Sequence, residues 1–220
     1  YPLGILAYAA PTAPELRLIQ AEQRESELLH LPLEQSLIEA VWNPPAVARP
    51  LNALEAPPPT FLVLAGHGEH DTAIPGAARI WVGRNANGAR RHVGFGELLR
   101  TTTSTHQGPQ MVYLSSCVVG TTREVHGEPM GLVSAALLRG ARYVIGWPVP
   151  VDDLGAALFA LLYHWMWREY QNPEKALEEA RRAFLSDDWP EGALVLARQH
   201  LSAHIKGILI RYLDIPDRRA

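Results

Sequence analysis

Two residues in this chain have the types and the setting to do chemistry together. His67 sits near the end of FLVLAGHGE (Phe61 to Glu69), and Cys117 near the end of MVYLSSCVVG (Met111 to Gly120), fifty positions further on. A thiol becomes a useful nucleophile when a base or a cationic neighbour raises its thiolate fraction, and the oxyanion formed by its attack needs preorganised donors. His67 supplies the imidazole. Gly68 has no side chain, so its backbone N–H could approach a tetrahedral intermediate together with the N–H of Cys117. Ser115 and Ser116 are small and leave the approach to the thiol uncrowded.

Both residues follow a short apolar run of the kind that forms a strand buried on both faces, and in a parallel α/β sheet functional groups gather beyond the carboxyl ends of the strands. FLVLA and MVYLS are therefore expected to bring imidazole and thiol to one sheet edge. Around them, Leu3 to Ala9 reads as a further buried strand, stopped by Pro11 and Pro14. Residues 15 to 41 read mostly as helix interrupted at Pro32, although ELRLIQ could be a strand. Six prolines between Asn43 and Pro59 predict a loop with at most one helical turn at Leu51 to Glu55. Arg79 to Val82 and Arg91 to Phe95 predict a small surface hairpin about Asn85, Asn87 and Gly88, followed by a short helix from Gly96 to Arg100 and a polar loop to Pro109. Val118 to Gly127 reads as an exposed loop. Glu128 to Arg139 predicts a helix with an early proline and Gly140 past its end, then a buried strand from Ala141 to Val149. Further helices are expected over 154–170, from Asn172 or Pro173 to Phe184, and over 191–213.

Composition narrows the function classes. A net charge of -3 in 220 residues carries no basic excess, so binding to nucleic acid phosphates is not expected. Cys117 is the single cysteine, so no internal disulfide can form, and a cytoplasmic location fits. The longest nearly unbroken apolar run, Leu154 to Trp167, contains His164 and falls short of the roughly 20 residues that cross a bilayer. No membrane association and no cofactor are predicted. The N-terminal LGILAYAA follows no basic residues and starts at Tyr1, which reads as a strand within a piece of a longer protein.

Other assignments compete for the same residues. His126 and His106 are rival bases for Cys117, but neither follows a buried strand. HGEHD offers His67, His70 and Asp71 as ligands of a metal-dependent hydrolase; it lacks the helical HExxH spacing and a cysteine pair, and no metal is predicted. Asp152 and Asp153 stand before a helix, where one would cap it and the other could line a pocket selecting Lys or Arg. The reading gives Asp152 the pocket and Asp153 the cap, with the swap left open. Trp81, Trp147 and Trp165 read as core or pocket wall.

LAGHG, YLSSC and GEPMGLVSAALLRGARYVIGWPVPVDD together resemble the CHAT domain, a caspase-like and separase-like family of cysteine peptidases. Residues 60 to 185 carry the resemblance, and the interval from His67 to Cys117 is about that of caspases. The resemblance implies a three-layer α/β sandwich with a mostly parallel central sheet and helices on both faces, in one domain spanning 1–220; the helical extension expected over 191–220 departs from the family, which closes with a strand there. It implies a His67–Cys117 dyad, an oxyanion hole formed with Gly68, and hydrolysis of a protein substrate by a regulated effector in prokaryotic signalling or defence, switched on by a regulatory domain or partner protein. LSSCVVG departs from the caspase QAC motif, so aspartate specificity does not follow. A catalytically silent interaction module is the alternative.

Overall fold

A computed structural model of the chain describes residues 16–20, 30–42, 47–48, 61–69, 78–84, 87–100, 110–117, 123–125 and 128–186. In chain order the elements are β1 (Leu16–Gln20), α1 (Leu31–Trp42), β2 (Val47–Ala48), β3 (Phe61–Ala65), β4 (His67–Glu69), β5 (Arg79–Arg84), β6 (Arg90–Gly94), α2 (Phe95–Arg100), β7 (Met111–Ser115), β8 (Arg123–Val125), β9 (Glu128–Met130), α3 (Leu132–Leu138), β10 (Tyr143–Gly146), α4 (Asp153–Tyr170) and α5 (Pro173–Phe184). The expected strand at Leu3 to Ala9, the polar loop at 101–109 and the helix over 191–213 lie outside the described residues.

The chain divides into two compact units. One comprises 14–32 and 46–156, the other 1–13, 33–45 and 157–220. The first contains a five-stranded sheet in the order β10-β7-β3-β1-β2, parallel at every pairing. FLVLA and MVYLS are its heart: all ten residues of β3 and β7 are buried, as two-faced burial requires of uninterrupted apolar strands. On one face Leu62, Leu64, Val112 and Leu114 pack with Leu98 of α2 and with Leu132, Ala135 and Ala136 of α3. Strand order reverses between β1 and β3, the kind of switch point beside which α/β sheets place their ligands.

Local chemistry explains the helix bounds here. Glu97 reaches back to the Gly94 N–H at 3.1 Å to cap α2. After α3, the N–H of Gly140 donates to Leu137 O at 2.9 Å and that of Ala141 to Ala136 O at 3.1 Å, with Gly140 at φ +92°: a Schellman ending that turns the chain into β10.

ELRLIQ takes the strand alternative, because β1 is paired along its length with β3. Four expectations are corrected. Pro32 does not interrupt α1 but lies in its first turn, where its missing N–H costs nothing. Within the proline-rich stretch Val47 and Ala48 pair with β1. Arg123–Val125 and Glu128–Met130 form a two-stranded antiparallel ribbon, so Pro129 lies in a strand and the helix starts only at Leu132. The predicted hairpin is present as β5 and β6, but β4 joins it, and Ile80, Trp81 and Val93 are buried rather than superficial.

In the second unit Trp42 Nε1 donates to His164 Nδ1 at 3.1 Å, and the Trp42 ring meets Trp167 edge-on at 5.5 Å. Asn172 caps α5 by accepting from the N–H groups of Glu174 and Lys175, both at 3.0 Å, with Pro173 at the first helical position. Arg182 pairs with Glu178 and Glu179 on the solvated face, as the charge pattern predicts. Complete burial pushes the pKa of His164 down to about 3, so the folded ring stays neutral.

Between about pH 6.5 and pH 3 the unfolded chain therefore binds a proton at His164 that the folded chain does not. Stability from this group is intact above pH 6.5 and falls as the pH drops towards 3. In urea unfolding followed by fluorescence, His164→Asn, which keeps an acceptor for Trp42, is expected to flatten the fall in midpoint between neutral pH and about pH 4. An unchanged slope would assign that fall to other groups.

Candidate active site

The site follows from the register of two neighbouring strands. Ala65 is the last paired residue of β3 and lies opposite Ser115, the last of β7. His67 and Cys117 are each two residues beyond that pair, so equal counting along parallel strands carries imidazole and thiol to the same carboxyl edge. Two bonds extend the seam past its last pair: Gly66 N–H donates to Ser115 O at 3.2 Å, and Ser116 Oγ donates to Gly66 O at 2.7 Å.

His67 lies between two glycines, and each is there for close backbone approach. A Cβ at Gly66 would overlap the carbonyl oxygen of Trp81. A Cβ at Gly68 would overlap the carbonyl oxygen of Cys117 and lie 2.8 Å from Ser116 Oγ. The first contact seats β4 on β5, and the second presses the backbone next to His67 against the residue that carries the thiol. The backbone of Gly68 thus lies against the carbonyl of Cys117.

The side chains of the pair are not bonded to each other. Cys117 is half-buried; its Sγ donates to Val151 O at 3.3 Å and accepts the Val151 N–H at 3.5 Å. The N–H of Cys117 donates to no described residue. His67 is half-buried in a strand rather than a loop, opposite Trp81, and its ring stacks on the Trp81 indole with centroids 6.0 Å apart and planes 12° from parallel.

Two residues along β4, Glu69 accepts from Arg79 Nε at 2.8 Å and lies 3.3 Å from His92 Nε2. Burial alone would raise the Glu69 pKa, but the hydrogen bonds and positive charge of Arg79 and His92 outweigh it and hold the carboxyl below its ordinary range. This cluster fastens β4 to β5 and β6.

Asp152 and Asp153 stand just beyond Val151. The helix cap falls on Asp152, not Asp153: its Oδ1 accepts the Gly155 N–H at 2.7 Å, and its carbonyl accepts the Ala156 N–H at 2.9 Å. The expected cap assignment is therefore reversed. Asp153 instead accepts the His30 N–H at 3.0 Å and meets His30 Nδ1 at 3.0 Å. Asp152 is exposed and sits one residue from the peptide that holds the thiol. His70, Asp71, His106 and His126 lie outside the described residues. Reasoning from sequence missed Val151, because a backbone contact carries no side-chain signature; it noted Trp81 as core or wall without connecting it to His67.

Comparison with family models gives a match described as "CHAT domain" over residues 5–205. No curated protein matches the chain.

Gly68→Ala should cost about 1–3 kcal/mol in urea unfolding, the usual penalty for forcing a side chain into filled space. The same variant should react more slowly at Cys117 with active-site ketones, although both candidate reacting residues are intact. Wild-type stability and reactivity would contradict the close approach of β4 to Cys117.

Proposed function

The chain belongs to the CHAT domain family, a caspase-like family related to peptidases, and from that premise we propose that it is a cysteine endopeptidase acting through Cys117 and His67. The observation that carries the reading is the packing of the Gly68 backbone against Cys117 at the carboxyl edge of β3 and β7, with the N–H of Cys117 unengaged by any described residue. In this mechanism His67 takes the proton from Sγ as the thiolate attacks the carbonyl carbon of the scissile peptide. The N–H groups of Gly68 and Cys117 hold the oxyanion. His67 then protonates the leaving amine, a Cys117 thioester forms, and water attacks it with His67 again accepting the proton.

On this reading the chain is a single caspase-like domain over 1–220, of the class with helices on both faces of a parallel sheet. The thiol bonded to Val151 is the resting arrangement, and turnover needs rotation of the Cys117 side chain from Val151 to His67. A regulatory domain or partner protein supplies the trigger, as suits a cytoplasmic effector in prokaryotic signalling or defence. Among the described residues no helix is long and apolar enough to cross a membrane. Asp152, exposed beside Val151 while its Oδ1 caps α4, is the proposed selector of Lys or Arg before the cut bond in addition to its capping role, with Asp153 as its neighbour in substrate binding. The same thiol contact favours the second reading, a silent interaction module, should Val151 never release Sγ.

Peptidyl acyloxymethyl ketones ending in Arg, Asp or Leu separate these outcomes. Labelling is expected on Cys117, abolished in Cys117→Ala and His67→Ala, and fastest with Arg. Asp152→Asn should remove the Arg preference, a change of about tenfold or more for a lost charge-assisted bond. Preference for Leu would discard the role of Asp152 alone. Absence of labelling both in the isolated protein and with its activating partner would favour the interaction module.

A further inference from the structure

A catalytic imidazole has to be held in one orientation, and in many dyads and triads a hydrogen-bonding third group does this. The His67 imidazole makes no hydrogen bond with any described residue. The carboxylate on its own strand, Glu69, is occupied by Arg79 and His92. What His67 does have is an aromatic surface. Trp81 lies opposite it in the β4–β5 register, is 3% exposed, and presents its indole nearly parallel to the imidazole.

Trp81 is itself held from several directions. It pairs with His92 on its other side, so His67, Trp81 and His92 form one row across three strands, and residues directly opposite share a face. Glu69 ties His92 back to the strand of His67. The carbonyl of Trp81 occupies the space that a side chain at Gly66 would need, so its backbone fixes the residue before His67 while its ring faces His67. The β5–β6 register slips immediately after Trp81, between it and Gly83. A bulge of this kind re-aims side chains and is common beside active sites.

Resting on the peptidase reading above, we propose that Trp81 is the positioning residue of the base: stacking on the indole orients the His67 imidazole.

The test uses two measurements on the intact chain. In NMR spectra of the protein, assigned with His67→Ala, the ring protons of His67 should lie upfield of their random-coil positions through the indole ring current, and should return towards them in Trp81→Leu. In ketone labelling, Trp81→Leu should slow reaction at Cys117 roughly tenfold, in line with the loss of an aromatic pair, whereas Trp81→Phe, which keeps a ring, should stay within a few-fold of wild type. Unfolding midpoints of both variants separate slower labelling from lost fold; if Trp81→Leu does not fold, the NMR shift and Trp81→Phe decide. Unshifted His67 protons overturn the proposal, as does a folded Trp81→Leu that labels at the wild-type rate. A wild type that stays unlabelled both alone and with its activating partner overturns the peptidase reading and the role of Trp81 with it, whereas a labelled wild type with unshifted His67 protons overturns the role alone.

Discussion

The constraint on which the candidate site depends is the parallel pairing of β3 with β7, carried past its last rung by Gly66 and Ser116. Five residue pairs from Phe61 and Met111 to Ala65 and Ser115 fix the register, and their burial on both faces makes a slip costly. A shift by one position would exchange the faces of every side chain in one strand and separate His67 from the thiol. Because the bonds from Gly66 N–H to Ser115 O and from Ser116 Oγ to Gly66 O lie beyond the regular ladder, the chains stay together where they stop being strand. The glycines on either side of His67 then allow β4 to meet β5 and the Cys117 turn at once.

The same arrangement shows where regulation would act on the peptidase reading. Sγ is held by both polar groups of the Val151 peptide, and the next residue, Asp152, caps α4. Val151 is therefore coupled to a helix terminus, which is itself fastened by Asp153 and His30. A shift of this segment exchanges one weak sulfur contact for another, a small energy for a partner to supply. Rigid placement of the base and a loosely held thiol are compatible demands, because they fall on different elements.

How legible all this is from the residues depends on whether the deciding force is local. FLVLA and MVYLS are readable because strands buried on both faces must be apolar throughout. The hairpin, the ending of α3 at Gly140 and the capped start of α5 follow from turn and cap chemistry that neighbouring residues supply. ELRLIQ stays open between strand and helix in the sequence, since the pairing with β3 that decides it comes from sequence 45 residues away, as Leu16 opposite Phe61 shows. EPMGL misleads: proline early in a helical pattern reads as a start signal, yet a two-stranded ribbon tolerates it at an edge. The cap on Asp152 rather than Asp153 is a one-residue boundary that only geometry resolves. For the candidate site, His67, Cys117 and Gly68 are visible as types in context. The Val151 contact and the Trp81 stack are not, since both arise from chain segments brought together only by folding.

The most direct test of the central claim is a crystal structure of the protein carrying a peptidyl ketone on Cys117. The account predicts a thioether to Sγ, the contacts to Val151 broken, the ketone oxygen within hydrogen-bond distance of the N–H groups of Gly68 and Cys117, and the His67 imidazole facing the sulfur from its place against Trp81. An adduct whose oxygen points to solvent, with His67 turned away from the sulfur, would contradict it.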